Sequence, residues 1–345
     1  MDHGATIAGI TRSRTRRLRE RRLLLAVLVL LIIASCAVSL MVGQTTYSAA
    51  EVWQVMQGQD VPGASFTVGR LRLPRTVMAL VAGLSFGMAG VTFQTMLRNP
   101  LASPDIIGIS SGASAAAAFA IVMLSLSATM VSIFAIVAGL VVAFLVYALS
   151  YKGGAAGIRL ILIGIGISAM LESMINYVLS RAGQWDLQEA MRWLTGSLNG
   201  TTWTQVVPAV LALAVFAPLL LAQGKNLASL QLGDDTAAAL GVRVDRARLT
   251  MIIAAVALIA FSTAAVGPIA FVAFLSGPIA ARILGPRGSL QIPAALVGAL
   301  LVLLADFSGQ YLFGTRFPVG VVTGVLGAPF LLYLIIRSNR TGGAL

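Results

Sequence analysis

Long apolar runs alternate with short polar segments along almost the whole chain, and the run lengths set its architecture. Residues 23–42 form one uninterrupted apolar run, and residues 73–97 form a second. Residues 106–149 carry no charged side chain over 44 positions. That is too long for one crossing of about 20 residues and right for two, joined near Ser125–Ser127. Residues 160–179 and 206–222 each suit one crossing, 249–284 suit two that meet at Gly267-Pro268, and 292–304 and 319–336 follow. The pattern predicts an all-α, polytopic membrane protein of about ten transmembrane helices. Residues 225–248 are the one long polar island in the second part of the chain. Taken as the divider, they give a basic arm (1–22), a first five-helix half (23–224), the island, a second half holding the remaining helices (249–337) and a tail (338–345). An odd number of crossings per half inverts one half against the other. Pro100 and Pro268 each mark a break after the second helix of a half.

Composition agrees with the pattern. Of 345 residues 58% are apolar and 10% charged, and the mean hydropathy is +0.92, whereas soluble domains carry roughly 25% charge. The 24 Lys and Arg against 12 Asp and Glu belong to basic loops, and no nucleic-acid partner is expected. Seven arginines between Arg12 and Arg22 precede the first run, which places the N-terminus in the cytoplasm. The same threading puts the C-terminus there and 18 of the 24 basic residues on that side. The expected location is the plasma (inner) membrane of a prokaryote. Ile33-Ala34-Ser35-Cys36 resembles a lipobox, but the apolar run continues past it and more membrane follows. The single cysteine, Cys36, and single histidine, His3, exclude a disulfide framework and a Cys/His metal cluster.

Three features carry candidate function. In the island, Asp234-Asp235-Thr236 offers N-cap oxygens, Ala237 to Leu240 favour helix and Gly241 suits the position after a helix end. A helix of about two turns cannot span a bilayer, so it reads as a handle for another protein to push. Glu172 and Asn176 stand four residues apart on one helix face, and Gln94 is the other amide well inside a span. These three are the expected lining of a polar route, with a structural interhelical hydrogen bond as the alternative, since a mid-membrane carboxylate costs roughly 3 kcal/mol unless it faces water or a partner. No G-x-x-x-x-G-K-[ST] phosphate loop occurs. A gradient-driven secondary transporter is the rival class, but it needs more buried titratable relays than Glu172 and, at a span end, Asp306.

Leu71-Arg72-Leu73-Pro74-Arg75, Arg98-Asn99-Pro100-Leu101-Ala102-Ser103-Pro104 and Gly108-Ile109-Ser110-Ser111-Gly112-Ala113 resemble the FecCD family of ABC importer permeases, which serves iron siderophores, haem and vitamin B12. Trp193-Leu194-Thr195-Gly196, Leu240-Gly241, Gly267-Pro268-Ile269-Ala270-Phe271, Ala305-Asp306 and Pro318-Val319-Gly320 extend the likeness over nearly the whole chain. Ser276-Gly277-Pro278-Ile279 stands where many relatives have Pro-His, and with Gln310-Tyr311 the pattern is most similar to ferric-enterobactin-type permeases. The resemblance implies a permease subunit without enzymatic activity that carries an iron-siderophore complex into the cytoplasm, with haem or vitamin B12 as alternative cargo. It implies a second permease subunit, identical or paralogous, a cytosolic ABC ATPase dimer and an extracytoplasmic binding protein. No cofactor is expected in this chain, because ATP and Mg belong to the ATPase. By the same resemblance Asp234, Asp235, Ala238, Ala239, Leu240 and Gly241 form the helix that couples to the ATPase, and Gly153, Gly154, Ala155 and Ala156 form a cytoplasmic gate. Arg72 is the expected docking arginine for the binding protein. The second docking position falls near Gln310, which leaves Arg316 as the substitute.

Overall fold

The computed structural model describes residues 3–150, 157–285 and 288–340. Helix α1 runs from His3 to Met41, α2 from Ala49 to Met56 and α3 from Leu73 to Met96. They are followed by α4 (Ile109–Val122), α5 (Ala128–Ser150), α6 (Gly157–Ser180), α7 (Gln184–Leu194), α8 (Trp203–Ala222), α9 (Gly224–Leu230) and α10 (Asp234–Ala239). The last four are α11 (Val244–Val266), α12 (Val272–Leu284), α13 (Gln291–Tyr311) and α14 (Val319–Arg340). No strand occurs among the described residues. Among the described residues, seven apolar helices are long enough to cross a membrane, and α4, α12 and residues 319–334 of α14 are shorter apolar ones. These make up the ten helices expected from the runs.

The island is not the midpoint. Helices α1, α3, α4, α5, α6 and α8 precede α10 and only α11 to α14 follow it. The run at 206–222 is a full crossing of its own, α8, so a division of five and five falls at 181–202, the segment that carries α7. The basic arm is likewise not separate. Gly and Pro are absent from 10–42, Arg and Leu favour helix, and arm and first crossing form one rod, with Cys36 inside it.

The ends of the bundle are fixed by contacts between distant residues. Arg75, in the first turn of α3, bonds Asp306 near the end of α13 and Asn199 just before α8. Arg98, past the far end of α3, sits beside Asp234 of α10 and near the foot of α11. Helices α3 and α11 therefore run in opposite directions, and each leads through a break into a short apolar helix, α4 or α12. This is the inverted pairing that the two proline breaks predict.

The core is built on α3. It packs against α13, α11, α12 and α8, and its glycines bring backbones together: a Cβ at Gly87 would meet the Ala294 carbonyl and one at Gly90 the Ala273 carbonyl. Close approach through small residues is how membrane helices gain packing without a hydrophobic drive. The break before α12 has a comparable cause. Gly267 adopts φ +75°, its Cβ position is filled by the Trp193 carbonyl, and the Ser197 amide donates to the Val266 carbonyl at 2.7 Å.

Candidate coupling, pathway and docking sites

Helix α10 is capped differently from the expectation at its start and as expected at its end. Its N-cap is Gly233, at φ 109°, and no side chain caps it. The Asp234 carboxylate instead accepts from the Arg248 guanidinium at 3.0 and 3.1 Å. The physical reason is the burial of Arg248, whose side chain is 7% exposed, because a buried guanidinium without a counter-charge is far costlier than an uncapped amide. At the other end Gly241, at φ +85°, closes a Schellman motif. Its amide donates to the Ala238 carbonyl at 2.9 Å, and the Val242 amide donates to the Ala237 carbonyl at 3.0 Å. Ala237 faces inward, whereas Asp235, Ala238, Ala239, Leu240 and Gly241 are exposed. Leu240 is 63% exposed.

Of the expected pathway residues, Glu172 and Asn176 lie on an exposed face of α6 beside Met170, Met174 and Tyr177. Gln94 is not with them. It is buried between α3 and α12, where its Nε2 donates to the Phe274 carbonyl at 2.9 Å. Pro278, four residues beyond Phe274 inside α12, has no N–H to give that carbonyl. Gln94 supplies the missing donor and so ties a proline-containing helix to its neighbour, an interhelical bond. The gate residues Gly153, Gly154, Ala155 and Ala156 lie outside the described residues.

Arg72 is also committed internally. It is 8% exposed, its Nη1 donates to the Leu40 carbonyl at 2.9 Å and its Nη2 to the Thr45 carbonyl at 2.6 Å. The guanidinium also lies 5.3 Å from the Tyr47 ring centroid. In this arrangement the carbonyls of Leu40, in the last turn of α1, and Thr45, in the loop after it, occupy its donors. Arg316, in the loop after α13, is exposed.

Two clusters went unread in the sequence. Arg75 forms a bidentate pair with Asp306, with Nε 2.7 Å from Oδ2 and Nη2 2.6 Å from Oδ1, while Nη1 donates to Asn199 Oδ1 at 2.5 Å. Between α3 and α4, the turn Pro104–Ile107 is capped by Ser103, and Asp105 accepts from the hydroxyls of Ser103 and Ser110. Burial pushes the Asp105 carboxyl above its usual range, against the lowering effect of the Ser110 and then the Ser103 hydroxyl. The Ser103-Pro104-Asp105 spacing, a capping serine with an acid two residues on, is the local signal that could have found it.

Ten apolar helices of inverted arrangement among the described residues, a short helix exposed between two of them, and polar residues on an uncovered helix face fit a membrane transport permease. Residues 29–337 match the model of the FecCD transport family, to which this chain belongs. The chain is 40% identical over 328 residues to the ferric enterobactin transport system permease protein FepG of Escherichia coli K12, covering 93% of this chain and 98% of that one. It is 34% identical to the iron(3+)-hydroxamate import system permease protein FhuG of Bacillus subtilis 168, covering 92% and 96%. A solved metal-chelate type ABC transporter in an inward-facing conformation superposes with a TM-score of 0.81 at 26% identity, covering 91% of this chain and 98% of that one. The chain is thus a multi-pass membrane permease, and the gradient-driven alternative is not favoured.

Proposed function

We propose that this chain is the permease subunit of an ABC importer that brings an iron-siderophore complex into the cytoplasm. Membership of the FecCD family supports the importer, and the cargoes that name its relatives, ferric enterobactin and an iron hydroxamate, support the class of substrate. The observation that carries the reading is α10, a Schellman-closed helix of six residues that presents Ala238, Ala239 and Leu240 to solvent at one end of the bundle. An ATPase dimer, holding ATP and Mg, docks there. That end faces the cytoplasm together with both chain termini, in the inner membrane, and Gly153 to Ala156 gate the route at that face. An extracytoplasmic binding protein lands at the opposite end, where Arg316 is exposed. The exposed carboxylate of Glu172 on a membrane-spanning helix supports a water-filled route between α6 and a second permease subunit, because lipid would penalise it by roughly 3 kcal/mol.

The test is assembly and coupling in nanodiscs. In a Cys36→Ser background, Ala239→Cys is expected to crosslink to the ATPase, and Leu240→Asp to abolish ATP hydrolysis stimulated by the loaded binding protein. Normal stimulation in Leu240→Asp would remove α10 as the coupling helix.

A further inference from the structure

Asp234 sits at the meeting point of three elements. It is the first residue of α10, both of its carboxylate oxygens reach Arg248 at the foot of α11, and its Oδ1 lies 3.9 Å from Arg98 Nη2, just past the end of α3. Arg98 takes a left-handed backbone at φ 51°, a conformation uncommon outside glycine. Arg248 Nε has no partner among the described residues, so Asp234 is the carboxylate paired with that buried guanidinium. Helices α3 and α11 are the two spans most enclosed by the rest of the fold, and α11 packs on α3 directly.

We infer that Asp234 is a transmission strut rather than an ATPase contact: it joins the pushed helix α10 to the feet of α3 and α11. The inference rests on α10 being the coupling helix and assigns its residues to two faces. Ala238, Ala239 and Leu240 face outward to receive the push. Asp234 is partly exposed, with 35% of its side chain open, and Arg248 Nη2 holds it by donating to both carboxylate oxygens at 3.1 and 3.0 Å. A six-residue helix has few contacts of its own, so without the ion pairs α10 can tilt on its loops and its displacement is lost before reaching the core helices. Two arginines on one carboxylate give the joint resistance in two directions, one toward α11 and one toward α3. Asp235, next along the chain, is exposed and pairs with no arginine among the described residues, which separates the roles of the two adjacent acids.

The experiment uses the assembled transporter with its ATPase, second permease and binding protein in proteoliposomes, and reads transported ferric siderophore per ATP hydrolysed beside ATPase co-purification. Couplings between sites typically correspond to about five- to a hundredfold, and Asp234→Asn is expected to lower transport per ATP by about tenfold with ATPase co-purification unchanged. Asp234→Glu should recover most of the ratio. Because Asp234→Asn leaves Arg248 buried without a counter-charge and can fail to fold, Arg98→Ala supplies a second reading. Arg98 is 52% exposed, its removal leaves the Asp234–Arg248 pair in place, and it should lower transport per ATP about fivefold at normal membrane level. An unchanged ratio in Arg98→Ala and in any folded Asp234→Asn protein overturns the strut, as does loss of ATPase co-purification in Asp234→Asn, which would make Asp234 a docking contact. If Leu240→Asp keeps normal coupling, the reading of α10 itself fails. If Leu240→Asp is uncoupled while the Asp234 and Arg98 variants are not, only the strut fails.

Discussion

Gln94, Arg72 and Asp105 are polar side chains whose partners lie where periodicity gives no hint. The value of Gln94 is set by Pro278, 184 positions away in the chain, because the proline frees the Phe274 carbonyl that Gln94 then satisfies. Gln94→Leu should leave that buried carbonyl unpaired and lower stability by about 1–3 kcal/mol, read as a fall in the thermal midpoint of the purified protein. A midpoint equal to wild type would return Gln94 to the candidates for the pathway. For Asp105, burial raises the folded carboxyl pKa above its unfolded value, so the folded state binds the proton more tightly than the unfolded state. Stability from this group is then fully present at acid pH and declines as pH rises through the folded pKa. Asp105→Asn should therefore raise the thermal midpoint at neutral pH, with the difference shrinking toward acid pH; a growing difference on acidification would reverse the assignment.

Among elements, what was legible was what depends on length and on local backbone chemistry. A 44-residue uncharged run has to be two crossings, and the structure turns between α4 and α5 at Ser125, whose φ is 47°. Gly241 ends α10 as its sequence position implies, because only the residue after the helix must be left-handed. The start of α10 was not legible, since Asp234 is diverted from capping by an arginine 14 positions on. The internal partners of Arg72 were not legible for the same kind of reason: its position before Pro74 marks the mouth of α3, but the carbonyls of Leu40 and Thr45 that it bonds lie outside that helix. Arg72→Met should accordingly cost stability more than affinity for the binding protein, whereas Arg316→Glu should weaken docking in a manner that fades as salt rises. Tight, salt-sensitive loss of docking in Arg72→Met at unchanged thermal midpoint would favour the docking role for Arg72 instead.

At the scale of the whole molecule, the division six and four about α10 places the handle off-centre in the sequence yet beneath the two most enclosed helices, α3 and α11. Counting crossings was enough for architecture, and the misplacement of the midpoint came from treating the longest polar stretch as the axis of the repeat. The exposed face of α6 belongs to this scale too, because it is complete only against water or another subunit. In a Cys36→Ser background, Glu172→Cys should react with a water-soluble thiol reagent in at least one nucleotide state, and full protection in both would place Glu172 in a protein interface.

The central claim is that ATP, acting through a separate ATPase, drives a ferric siderophore through this permease. The most direct measurement is uptake of radio-iron siderophore from its binding protein into proteoliposomes that hold the assembled transporter, with ATP supplied on the ATPase side. The account predicts uptake that requires ATP, persists with a protonophore and vanishes with Leu240→Asp. Uptake that proceeds without ATP and collapses with the protonophore would contradict it.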